Sequence, residues 1–107
     1  MESLPVTEPV LLILLSLAGQ PRHGYAILQD VEEMSEGCVV LSTGTLYGAL
    51  RRLLDDGWID RVKEENSSRG RQAYRLSARG RRNLQLEVSR LKHLARVANL
   101  RVARKEM

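Results

Sequence analysis

The sequence predicts a mainly α chain with one small β-hairpin, and three observations support this. Apolar residues recur at spacings of three and four through separate stretches, the period of helices with one buried face. Only the stretch from Trp58 to Leu76 departs from it, with two β-prone runs about a polar, glycine-bearing centre. The composition, 43% hydrophobic and 28% charged over 107 residues, suits one globular domain with a modest core.

Residues 1–6 are expected to form a mobile tip. Thr7 is placed to cap a first helix, with Glu8 and Pro9 in its first turn, where a missing N–H is harmless. The helix runs to about Ala18 and stops at Gly19-Gln-Pro21. It is apolar nearly all round, so it lies at the domain centre, or a partner chain covers one side, or both. Its run Val10–Leu17 is too short to span a bilayer and is preceded by Glu2 and Glu8 with no Lys or Arg, unlike a secretory signal. A cytoplasmic protein without a membrane partner is expected.

A second helix opens within Pro21–Tyr25, with Ile27, Leu28, Val31 and Met34 as its buried stripe and Asp30, Glu32, Glu33 and Glu36 elsewhere. It ends at Glu36-Gly37, and Cys38–Leu41 forms a short extended connector. Cys38 is the only cysteine, so no internal disulfide forms. It is expected to be a small buried residue, since nothing in sequence supplies an activating base.

The chain is organised around the third helix, in Leu41–Gly57. Leu46, Ala49, Leu50, Leu53 and Leu54 form its apolar face, Ser42 or Thr43 its cap, and Gly57 a left-handed stop. On the opposite face lie Gly44, Gly48, Arg51 and Asp55, flanked by Thr45 and Tyr47. Glycine costs a helix roughly 1 kcal/mol relative to alanine, so two glycines a turn apart suggest that something approaches the backbone closely. Hydroxyls, a tyrosine, Arg51 and Arg52 suit phosphates and base edges. Taken alone, the face fits equally a solvated surface with a loose first turn.

Trp58-Ile59 leads into a strand reaching about Lys63, and Arg71–Leu76 reads as a second. Asn66–Gly70 between them makes a basic hairpin tip with Arg69 and Arg71. Ser77 caps a last helix to about Val102, with Leu84, Val88, Leu91, Ala95, Ala98 and Val102 at heptad-like spacing. The seam is too short for a free-standing coiled coil, so it points to packing against the first helix of its own or a second chain. Hydrophobic surface left over on both helices favours a homodimer, with Leu11, Leu14, Leu15, Leu84, Val88, Leu91, Ala95 and Ala98 at the interface.

Charge is unevenly spread. Residues 1–50 carry one basic and six acidic side chains, net −5, and residues 51–107 carry sixteen and seven, net +9. Six arginines and no acid lie between Asn66 and Leu86. Such asymmetry fits a polyanion meeting one side of the fold, although a solvated basic face also produces it.

The order of helix, helix, short strand, helix, two-stranded wing, helix is that of a winged helix-turn-helix with an added C-terminal dimerisation helix. In that plan the third helix enters the major groove and the wing lies along the backbone. Residues 7–76 would form the winged helix-turn-helix and residues 77–103 the last helix, within a single domain 1–107. The expected DNA-contacting set is Ser42, Thr43, Gly44, Thr45, Tyr47, Gly48, Arg51, Arg52, Arg69 and Arg71. The competing reading is a winged helix used only for protein contacts. An enzyme is not expected: His23 and His93 have no partners at catalytic or metal-ligand spacing, and no phosphate loop follows a strand. Neither a metal nor a cofactor is expected.

Five segments together resemble the PadR family of bacterial transcriptional regulators: His23-Gly24-Tyr25, Leu41–Tyr47, Leu50–Leu53, Gly57-Trp58-Ile59, and Tyr74–Ser77 with Gly80. The resemblance covers about residues 8–85. It implies a dimeric repressor on a pseudo-palindromic operator, often released by a small molecule. Such an effector is expected at the dimer interface, because so short a chain has no spare domain for it. Thr43 stands where the family often has proline. Without the separate C-terminal helical domain of longer members, the chain resembles the short type, dimerising through its first and last helices.

Overall fold

The computed structural model describes residues 6–63 and 72–105. Helix α1 (Glu8–Ser16) is capped by Thr7, whose Oγ1 accepts the Val10 N–H at 3.4 Å. It stops short of Ala18 because the N–H groups of Leu17 and Ala18 turn to the carbonyls of Leu14 and Leu15, a tightened final turn. Ile13 and Leu14 are fully buried, so α1 lies at the centre of the fold.

The next element departs from expectation. Arg22–His23 form strand β1 instead of opening the second helix, and Cys38–Leu41, expected as the short strand, pair with no strand among the described residues. Helix α2 (Gly24–Met34) follows β1 directly. Ile27 and Val31 are buried on it, but Met34 at its end is 39% exposed. The α2 terminus unwinds through Glu36 (φ 53°) and Gly37 (φ 81°), and the Gly37 N–H reaches the Glu32 carbonyl at 2.8 Å. Cys38 is exposed, contrary to the burial expected of it. Ser35 Oγ accepts the Val39 N–H at 2.9 Å and holds Val39 to the core, which leaves Cys38 at the apex of the turn.

Helix α3 (Thr43–Asp55) is capped by Ser42, whose Oγ accepts the Thr45 N–H at 3.1 Å. Leu46, Ala49, Leu50 and Leu53 bury its inner face, and Gly57 at φ 77° ends the turn. Strands β2 (Ile59–Val62) and β3 (Ala73–Leu76) are antiparallel, and β1 pairs with the other edge of β3, giving the order β1-β3-β2. Tyr74 stands opposite Arg22 on one side and Arg61 on the other.

Helix α4 (Ala78–Lys105) is fastened at its start to the α3–β2 turn. Ser77 Oγ donates to the Gly57 carbonyl at 2.6 Å and accepts the Gly80 N–H at 2.9 Å, while the Ser77 N–H donates to the Trp58 carbonyl. Gly80 is required here, because a Cβ would fall on the Trp58 carbonyl oxygen and lie 2.8 Å from its carbon. Leu84 closes the core from α4, beyond which the helix carries mainly exposed side chains. The radius of gyration, 16.0 Å, exceeds the roughly 13 Å of a compact chain this long, as the projecting α4 would lead one to expect.

Candidate nucleic-acid interface

Burying four residues on one side of α3 leaves Thr43, Gly44, Thr45, Tyr47, Gly48, Arg51 and Arg52 exposed, together with the capping Ser42. A Cβ added at Gly44 or Gly48 would meet no atom within 4 Å, so packing within the chain does not demand either glycine. Arg51 and Arg52 form no ion pair among the described residues. The helix thus presents bare backbone, small hydroxyls and two guanidinium groups that pair with no acid among the described residues.

Tyr47 is only half exposed, because its ring lies over the start of α2. A Cβ on Gly24 would fall on the Tyr47 hydroxyl and stand 2.8 Å from the ring carbon bearing it. The glycine of His23-Gly24-Tyr25 and the tyrosine of α3, far apart in sequence, are therefore one packing unit. It lets the start of α2 and the exposed helix approach closely.

Arg61 and Tyr74 join this surface, and the sequence reading did not single them out as site residues. They are cross-strand partners on the sheet face whose Ile59 and Leu76 enter the core. Arg61 lies two residues beyond Ile59, and the two-residue period of a strand was the signal that could have found it. With Tyr47, Leu50, Arg51, Leu54 and Asp55 they line a cleft of about 430 Å³ between α3 and the sheet. Burial pushes the Tyr74 hydroxyl above its ordinary pKa and nearby Tyr47 adds to this, while the Arg61 charge opposes it. Arg69 and Arg71, the expected wing contacts, lie outside the described residues, as does the tip that carries them.

Of the residues expected between subunits, Leu14 and Leu84 are buried within this chain (0% and 5% exposed), so neither offers side-chain surface to a second one. Leu11, Leu15 and Val88 are partly buried against the same core. Leu91, Ala95 and Ala98 are exposed on α4, and Leu94, three residues after Leu91 and four before Ala98, is exposed beside them. No helix among the described residues is long and apolar enough to cross a membrane.

Two short helices, a third that buries one face in the core and leaves the other open, and a sheet beside its flank define a winged helix-turn-helix, the fold of DNA-binding proteins. The profile of the Transcriptional regulator PadR-like family matches residues 12–86, and the chain belongs to that family. A PadR family transcription regulator from Clostridium difficile R20291 is 30% identical with a TM-score of 0.76, the match covering 90% of this chain and 99% of that one. A transcriptional regulator from Clostridium thermocellum is 25% identical with a TM-score of 0.71, over 83% and 84% of the two chains. Bacillus subtilis PadR, solved in complex with operator DNA, shares the fold at 22% identity and a TM-score of 0.63, over 73% of this chain and 45% of that one. No curated protein matches the chain.

Proposed function

We propose that the chain is a homodimeric repressor that reads a pseudo-palindromic operator with the exposed face of α3. The observation that carries this is the pair Gly44 and Gly48, which weaken an exposed helix although a Cβ at either position would meet no atom within 4 Å. A duplex entering against that face would meet backbone directly, with Ser42, Thr43, Thr45 and Tyr47 around it and Arg51 and Arg52 beyond. Arg69 and Arg71 on the wing would grip phosphates. B. subtilis PadR, of the same fold, is bound to operator DNA. Two copies joined through α4 would set two reading helices against two half-sites, as dimeric regulators of this architecture do.

The test starts by selecting bound duplexes from random DNA with the purified protein, then compares operator and random DNA over a salt series. Salt-dependent, sequence-selective binding is expected, and a reporter promoter carrying the selected site should fall in expression when the protein is present. Arg51→Ala should weaken operator binding by roughly 1–3 kcal/mol. If the wild type binds no duplex selectively, the fold serves protein contacts instead.

A further inference from the structure

Building on the DNA-binding reading, we propose that the cleft between α3 and the β2–β3 pair seats one backbone phosphodiester of the bound duplex. The Arg51 and Arg61 guanidinium groups and the hydroxyls of Tyr47 and Tyr74 would receive it.

Position supports this first. A helix with its side chains is about 10–12 Å across and nearly fills a major groove about 12 Å wide. Its flanks therefore face the two phosphate strands that bound the groove. The cleft opens on the flank of α3 nearest the sheet, and Tyr47 and Arg51 belong both to it and to the reading face. A duplex that meets Gly44 and Gly48 brings a phosphate strand past this cleft.

The lining matches that ligand. Arg51 and Arg61 form no ion pair among the described residues. Guanidinium forks suit two oxygens of one phosphate, and phenol hydroxyls add neutral donors. Asp55, one helical turn beyond Arg51, is the single acidic group in the lining. Two arginines and one aspartate leave a charge of +1, equal and opposite to that of one phosphodiester. About 430 Å³ is ample for a phosphate with parts of its adjoining sugars.

Arg61 is also well supported. Its strand position is set by register against Tyr74, itself 5% exposed and built into the core. Arg61 is carried on a strand paired along its whole length, which fixes its place beside α3. A contact from such a position fixes how deeply the reading helix sits in the groove.

The experiment measures binding of the wild type, Arg61→Ala and Arg61→Lys to operator and random duplexes over a salt series. It is repeated on operators carrying one neutral methylphosphonate linkage, moved step by step along each strand. Arg61→Ala should weaken both DNAs by a similar factor and reduce the salt-dependence slope by about 0.9 per chain. One linkage per half-site should weaken the wild type when neutralised and weaken Arg61→Ala by a smaller factor, whereas Arg61→Lys should keep the slope. Unchanged affinity and slope for Arg61→Ala, a changed sequence preference, or undiminished sensitivity to every linkage would overturn the proposal. A wild type that binds no duplex would remove the DNA-binding reading as well, and it would appear before any substitution is compared.

Discussion

Gly48 lies in the middle of α3 on its exposed side, where alanine would fit without touching anything within 4 Å. By helix propensity alone Gly48→Ala should stabilise the chain by up to about 1 kcal/mol. If the bare backbone is there for a duplex to approach, the same substitution should weaken operator binding. Urea unfolding and duplex titration of one variant therefore ought to move in opposite directions. A variant that is both more stable and binds as tightly as wild type would mean that Gly48 is not a contact. Gly24 contrasts with it, since its missing Cβ makes room for Tyr47 inside the chain. Glycines of the same composition thus serve different ends, and only their neighbours tell them apart.

Among the elements, the junction of α3, β2 and α4 has the closest fit. The Gly57 and Trp58 carbonyls take hydrogen bonds from Ser77, and Gly80 lets the first turn of α4 lie against the Trp58 backbone. This ties the start of α4 to the end of α3 through the Ser77 hydroxyl and backbone N–H. A Cβ at position 80 has no flexible neighbour to displace, so Gly80→Ala must shift one element against another. The expected cost is about 1–3 kcal/mol, the range of overpacking in a close-fitted site. Thermal unfolding followed by circular dichroism checks it, and a variant as stable as wild type would mean that α4 can tilt away at little cost.

On the scale of the whole molecule, the dominant feature is the length of α4. Its 28 residues extend about 42 Å, yet core contact ends near Leu84 and Val88. Beyond them Leu91, Leu94, Leu100 and Val102 are 36%, 46%, 60% and 63% exposed. Leu91, Leu94 and Val102 share one side of the helix, with Ala95 and Ala98 between them. In the homodimer proposed above, Leu91→Asp places an unpaired charge in the buried seam and should shift the assembly to monomers at micromolar concentration. Because Leu91 is already partly exposed within one chain, the helical signal should persist. Sedimentation of wild type and variant decides the matter: equal masses for the two would exclude this seam.

How much was legible in the sequence follows from the range of the interactions involved. Helix periodicity determined α2, α3 and α4, and it identified Leu46, Ala49, Leu50 and Leu53 as the buried side of α3, because residues three and four apart share a face whatever the chain does elsewhere. The cap at Ser42 and the stop at Gly57 are equally local. Strand β1 was not legible: Arg22 and His23 are extended because their backbone groups find β3 some fifty residues later. The exposure of Cys38 likewise depends on Ser35 holding Val39. Of the candidate site, the exposed face of α3 could be read residue by residue. The cleft that unites Arg51 with Arg61 and Tyr74 was a decision of tertiary structure alone, since strand register and helix orientation together determine which side chains meet across it.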